Sequence, residues 1–294
     1  MTAVKDYAIR GTAYQGYVRA FACVTTGMMN KMQKRHQTWP VASAALGRTV
    51  SAGAMMGMML KNDSDKMTIQ IRGDGPLGQI LVDVDAGGRI RGYVQNPAVD
   101  LPNNAQGKLN VGGGVGQGTL NVVKDLGLKD PYRGSVNLVS GELGDDFTYY
   151  LTASEQIPSS VGVGVLVAPD GGILHSGGFI VQLMPGAEER LIDELEQRIR
   201  HLPSVTQLME KGDRPEDLLR RILGDSLKIT DRQPLTFRCH CSRERIDNTL
   251  RSLGKEELHR LIEEQGAAEV ICHFCNEVYR VPKSDLEKLL QEAQ

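Results

Sequence analysis

The sequence predicts an α+β N-terminal domain with mostly antiparallel sheet, a helical connector docked on it, and a small C-terminal domain built on four cysteines. Three observations carry this prediction. Over residues 1–180, short runs that alternate apolar and polar side chains are separated by Gly, Pro, Asn and Asp turns and surround one long apolar helix. From 181 to 230 the apolar period changes to three and four. Four of the five cysteines (Cys239, Cys241, Cys272, Cys275) then fall in residues 231–294.

In order along the chain, residues 17–24, 66–72, 80–84, 90–95 and 147–152 alternate at period two and are bounded by turn residues, so each is expected as a strand. Residues 161–167, Val-Gly-Val-Gly-Val-Leu-Val, are another apolar strand candidate. Residues 41–60 are expected as a buried helix rather than a membrane span, because Arg48, Ser43, Thr49, Ser51 and three glycines interrupt them. Met55, Met56, Met58 and Met59 near its end are expected to fill the core beneath the sheet. Residues 111–118, Val-Gly-Gly-Gly-Val-Gly-Gln-Gly, fit neither dinucleotide nor phosphate-loop spacing and are expected as a turn or hairpin loop. Gly73-Asp-Gly-Pro-Leu-Gly78 is likewise expected as a tight turn.

In the connector Leu191, Ile192, Leu195, Ile199 and Leu202 recur at helical steps. Acidic residues precede them and Arg198, Arg200 and His201 follow, matching the helix dipole. Ser204 with Gln207 and Asp213 with Glu216 have capping-box spacing, and Gly224 is a plausible stop. Helices this short are marginal alone and must dock on something. In the third part a helix through Leu258, Leu261 and Ile262 ends at Gly266, residues 269–281 read as a hairpin with the second cysteine pair at its tip, and a last helix is expected from Ser284, capped by Glu287.

Composition bounds the function. With 34 Lys and Arg against 36 Asp and Glu, the net charge is −2, which argues against a protein that coats nucleic acid or anionic membrane. The N-terminal residues show no apolar stretch of a secretory signal, so a reducing cytoplasmic setting is expected. There, clustered cysteines point to a metal or to redox chemistry rather than to a disulfide framework. Cys239-His-Cys241 and Cys272-His-Phe-Cys275 supply four thiolates, the complement of a tetrahedral Zn²⁺, with no position left for a substrate water. His240 and His273 are expected as exposed non-ligands. Cys23, in an alternating strand far from the cluster, is expected as a buried hydrophobe rather than a nucleophile, and no catalytic residue is assigned. His36 and His175 have no partner spacing. Two readings of the zinc remain open: a structural staple, or a switch, since zinc-bound thiolates are open to oxidants and a CxC disulfide closes a strained ring.

The sequence resembles the redox-regulated holdase chaperones of the 33-kilodalton heat-shock protein family. The resemblance spans nearly the whole chain and is most specific at Phe237-Arg-Cys-His-Cys-Ser-Arg-Glu-Arg245 and Val270-Ile-Cys-His-Phe-Cys-Asn-Glu-Val-Tyr279. Ala44-Ala-Leu-Gly-Arg48, Gly73–Gly78, Ser154-Glu-Gln-Ile-Pro-Ser159 and Gly177-Gly-Phe-Ile-Val-Gln182 add to it. It implies an ATP-independent chaperone that is not an enzyme and rests in a reduced form with one Zn²⁺ per chain on Cys239, Cys241, Cys272 and Cys275. By the same resemblance, oxidation joins Cys239 to Cys241 and Cys272 to Cys275, releases zinc, unfolds the C-terminal domain and loosens the connector. The partners it implies are unfolded client proteins and, when active, a second copy of the chain, with no nucleic acid and no membrane. The competing reading is a zinc-ribbon protein bound to nucleic acid or the ribosome. Against it, residues 231–294 hold 10 Lys and Arg against 12 Asp and Glu.

Overall fold

A computed structural model describes residues 5–292. The chain divides into two compact units, residues 1–238 and 239–294. The first unit opens with the hairpin β1 (Tyr7–Ala13) and β2 (Val18–Val24), then α1 (Thr26–His36) and α2 (Pro40–Gly57). A meander of β3 (Lys66–Gly73), β4 (Gln79–Asp85) and β5 (Arg89–Val94) follows. Next come α3 (Val111–Val115), β6 (Gly118–Asp125), β7 (Tyr132–Asn137), α4 (Gly144–Ala153), β8 (Ser159–Val167) and β9 (Ile173–Leu183). The connector is α5 (Glu189–Arg200), α6 (Val205–Glu210) and α7 (Pro215–Leu223), after which β10 (Lys228–Pro234) and β11 (Thr236–Phe237) return to the sheets.

Two sheets result, a five-stranded one in the order β10-β1-β2-β9-β8 and a six-stranded one in the order β11-β5-β4-β3-β6-β7. Every pairing is antiparallel except the short β11–β5 contact. The fold class is therefore the expected α+β with antiparallel sheet. Strand alternation sets the faces: Met67, Ile69, Ile71, Ile80, Val82, Val84, Leu120 and Val122 turn from the second sheet into one core. Phe21 and Cys23 reach the same core from the first sheet.

α2 packs on both sheets, which explains its composition. Sixteen of its residues are buried, and its glycines allow close approach. A Cβ on Gly47 would come within 2.6 Å of Val165 in β8, and one on Gly57 within 2.6 Å of Val84 in β4. Arg48, the charge that interrupts the helix, reaches out to Glu142, with Nη1 donating to Oε2 at 2.6 Å and to the backbone carbonyl at 2.9 Å. Met55, Met56 and Met58 are buried and Met59 is packed against the same core, as expected of gap-filling side chains. No helix among the described residues is long and apolar enough to cross a membrane.

The other face of the first sheet carries Ile9, Val18, Ala20, Ala22, Phe179 and Val181, and the connector covers it with Leu195, Val205, Leu208, Met209, Leu218, Leu219, Ile222 and Leu223. Ser204 and Gln207 form the expected capping box, with bonds of 3.4 and 3.2 Å. The second box is shifted by one residue: the Arg214 N–H donates to the Asp217 carboxylate at 3.0 Å, while Asp213 pairs with Arg221. That N–H, first among the causes, holds the Asp217 carboxyl below the usual range. Since the folded value is lowered, the stabilisation is present above the ordinary aspartate range and is lost as pH falls through the folded value. Asp217→Ala is expected to cost about 1 kcal/mol at neutral pH and nothing in acid, as read by thermal melts across pH.

Three other expectations are corrected. Residues 147–152 are not a strand but lie in α4. The carboxylate of Asp146, fully buried at its third position, accepts N–H bonds from Val139, Ser140 and Leu143 at 2.6, 3.1 and 2.8 Å. That cap starts a helix, and Phe147, Tyr150 and Leu151 fall on its buried side. The glycine-rich segment 111–118, expected as a turn or hairpin loop, is one helical turn, α3, running into β6. Residues 231–238, placed by the sequence reading with the cysteine domain, here continue the sheets through β10 and β11.

The second unit comprises α8 (Arg243–Arg251), α9 (Lys255–Glu264), the hairpin β12 (Ala267–Ile271) and β13 (Val278–Pro282), and α10 (Lys283–Glu292). The last helix starts one residue before Ser284, so Ser284 lies inside it rather than capping it. The unit's core is small: Ile246, Leu250, Leu258, Ile262, Ala268, Val281, Leu286 and Leu289.

Candidate metal centre

The second cysteine pair sits on the turn of the β12–β13 hairpin, where the expected hairpin placed it. The Cys272 N–H donates to the Glu277 carbonyl at 3.0 Å, closing the turn, and the Cys272 carbonyl accepts from Cys275 at 3.2 Å and Asn276 at 2.8 Å. Asn276 takes the left-handed conformation, at φ 54°, that so tight a turn requires. The first pair immediately precedes α8. There the Ser242 hydroxyl accepts the Arg245 N–H at 3.3 Å, and Arg243 is held by Asp247 at 2.8 Å and Asp285 at 2.7 Å. Local capping thus fixes the chain on the far side of each pair.

The four Sγ atoms lie within 4.8 Å of one another, with Cys239–Cys272 at 3.6 Å and Cys241–Cys275 at 3.4 Å. No disulfide joins them. A tetrahedron of thiolates about 2.3 Å from a central zinc has S···S edges of about 3.8 Å, so the quartet matches a four-thiolate metal. His240 and His273 are exposed and stand outside the group.

The electrostatics favour the same occupant. Burial raises the Cys239 thiol, but the Cys241 N–H and the neighbouring thiols outweigh it and leave the group at about 7. Burial foremost pushes Cys272 and Cys275 up. Four thiols this close cannot all ionise unless a cation sits among them, and a dication supplies that charge. The Tyr279 hydroxyl is pushed up chiefly by its hydrogen bond to Cys241. Tyr279 is a neighbour the sequence reading missed. Its place on β13, paired with Val270 one residue before Ile271 and the Cys272 turn, is what aims it at the cluster.

Cys23 lies elsewhere, fully buried in the first unit, with its thiol donating to the Ser51 carbonyl at 3.5 Å and burial pushing it up to about 12. It packs as the hydrophobe the sequence predicts. The glycine-rich segments form no phosphate cradle. The N–H groups of Gly112, Gly113, Gly114, Gly116 and Gln117 are already bonded, to Glu142, Asn110, Asn110, Gly112 and Asp74. A Cβ on Gly73 would run into the Val115 carbonyl, so the glycines let two loops interlock.

The model of the family described as Hsp33 protein matches residues 6–282. The chain belongs to this family. It is 54% identical over 293 residues to the 33 kDa chaperonin of Geobacillus sp. (strain WCH70), covering 99% of each chain. It is 53% identical over 285 residues to that of Bacillus subtilis (strain 168), covering 97% of this chain and 98% of the other. The crystal structure of the 33 kDa chaperonin from Thermotoga maritima superposes with a TM-score of 0.93 at 36% identity, over 98% of both chains. A chaperone family, an α+β fold and four C-terminal cysteines able to hold a metal therefore stand together, in agreement with the family resemblance read from the sequence.

Proposed function

We propose that the protein is a redox-regulated, ATP-independent holdase of the cytoplasm, resting in a reduced form with one Zn²⁺ on Cys239, Cys241, Cys272 and Cys275. The observation that carries the reading is the thiol quartet joining the start of the second unit to its β12–β13 turn, across so small a core. Zinc bound there neutralises thiolate charge and cross-links the unit. The rest is done by this chain's own residues. Oxidation of Cys239 with Cys241, and of Cys272 with Cys275, forms one S–S bond in each pair. Each bond delivers two electrons to the oxidant, which draws its protons from solvent because the metal-bound sulfurs are already thiolates, and together the two bonds remove all four ligands.

The choice of pairing matters physically. Bonds across the quartet, between Cys239 and Cys272 or Cys241 and Cys275, would close loops of more than thirty residues and staple the unit. Bonds within each pair close small rings and leave the unit without a long-range link. Unfolding of 239–294 follows, and the connector within 181–230, made of helices of 12, 6 and 9 residues, lets go next. Client-binding surface is then free, and a homodimer is the active assembly. The small charge of the cysteine unit supports a protein client over a nucleic acid.

Warming the purified chain with peroxide is expected to release one zinc per chain, give Cys239–Cys241 and Cys272–Cys275 disulfides by peptide mass spectrometry, and suppress aggregation of a denatured client. The reduced chain should do none of these. Zinc release without suppression, or disulfides across the quartet, sinks the reading.

A further inference from the structure

Within the first sheet β10 is held differently from the strand it pairs with. It forms the outer edge beside β1. Six of its seven residues are exposed and Gln233 is half-buried, whereas in β1 all but Arg10 and Thr12 are buried. Burial of alternate side chains, the usual anchor of a strand, is almost missing here. What remains is the backbone ladder, with Gln233 opposite Ala8 and Asp231 opposite Arg10, continued by the Leu235 N–H donating to the Asp6 carbonyl at 3.0 Å. The ladder is itself interrupted. Its register slips between Arg10 and Gly11, where Thr230 is the extra residue and donates its hydroxyl to the Arg10 carbonyl at 3.1 Å.

The side-chain contacts of β10 are few: the Gln233 amide donates to the Ala86 carbonyl between β4 and β5, and the rest are superficial. Arg10 faces Asp231 at 3.5 Å, and both are exposed. The Arg232 guanidinium lies over the Tyr7 ring at 3.9 Å and 3.9 Å from Glu216. Glu216 belongs to α7 and also accepts the Tyr7 hydroxyl at 2.7 Å. Leu227, four residues beyond α7, and Ile229 lie across Gly11, where a Cβ would sit 2.9 and 3.6 Å from them. Part of what seats β10 is therefore supplied by the connector.

We infer that the β1 edge is a strand-acceptor site, filled by β10 in the resting chain and by an extended segment of unfolded polypeptide in the active one. The incoming segment pairs antiparallel with Asp6 to Thr12, and an aliphatic side chain crosses Gly11 where Ile229 does now. The occupant follows from the seat. An edge read through main-chain N–H and C=O groups accepts any extended backbone, the group every unfolded chain exposes. This rests on the holdase reading and names the surface that the client takes.

Two experiments decide it. Alternation from the Asp6 bond turns the N–H groups of Asp231 and Gln233 toward β1, so D231P/Q233P in the full reduced chain removes both. The folded, metal-bound variant is expected to bind a fluorescein-labelled unstructured peptide at least tenfold tighter than the unmodified reduced chain. A peptide of residues 228–234 should compete. Equal binding by the folded variant overturns the proposal, whatever oxidation does to the unmodified chain. In parallel, amide exchange on the oxidised chain with bound client should find Ala8 and Arg10 protected and Asp231 and Gln233 exposed. Asp231 and Gln233 as protected as in the reduced chain overturns it, and this arm stands if the double variant fails to fold. An oxidised chain that binds no client counts against the holdase reading alone, and the reduced variant then decides.

Discussion

Stripping the metal from the reduced chain is expected to unfold residues 239–292 and leave both sheets of the first unit intact. The reason is the balance inside the second unit. Its eight buried apolar residues include an alanine, and only Leu258, Val281 and Leu286 are sealed from solvent altogether. A core of that size gives little net stability once chain entropy is counted. The strongest tie is the quartet, because it joins the residues just before α8 to the far turn of the β12–β13 hairpin. Structural zinc in small domains contributes an apparent ~10–16 kcal/mol to folding at neutral pH, more than the roughly 5–9 kcal/mol that burying Leu258, Val281 and Leu286 supplies. Cys272→Ser should act in the same direction, since it removes one of the four thiols while leaving the backbone bonds of the turn in place. Limited proteolysis with peptide mapping reads the outcome. New cuts should cluster between 239 and 292 while the sheet strands stay protected. A C-terminal unit that resists protease without metal would show that its apolar core suffices.

The cysteine centre was the most legible part of the chain because its chemistry is written in spacing. Two short pairs on either side of a helical stretch leave a four-thiolate metal site as the simplest arrangement, and the Sγ atoms converge accordingly. Long strands with clean alternation, such as β3 and β4, were legible for a similar reason: one face meets the core and the period shows it. The failures have a common cause. Residues 147–152 alternate like a strand, but the deciding residue, Asp146, acts through four backbone N–H groups that precede it, and such a cap has no period to detect. β10 was missed because its side chains do not choose its place. Six of the seven are exposed, so no pattern marks a strand held by its neighbour's backbone. The cap at α7 moved by one residue because Asp213 found Arg221, eight positions away.

Leu219→Ala is expected to let the chain bind denatured client while its cysteines remain reduced and its metal remains bound. Leu219 is fully buried in α7, in the cluster that joins the connector to the outer face of the first sheet. α7 has nine residues and cannot hold itself as a helix in water, so its order depends on this docking. A Leu→Ala truncation in a sealed site costs about 2–5 kcal/mol. Since each 1.4 kcal/mol is a factor of ten, the ratio of docked to undocked connector should fall roughly thirty- to several-thousand-fold. On the proposed function, zinc loss would act on the same ratio only indirectly, through the unit that follows, so the substitution should bypass the oxidation step. Leu120→Ala is the matched control. Leu120 is equally buried, but it lies in β6 and belongs to the other core, away from the cluster that the connector joins. It should lower the melting temperature by a similar amount without releasing the client surface. Aggregation suppression by both reduced variants, with metal content measured in the same samples, separates the two effects. If L219A needs oxidant as much as the unmodified chain does, the docked connector is not what conceals the client surface, and the gate lies elsewhere in the fold.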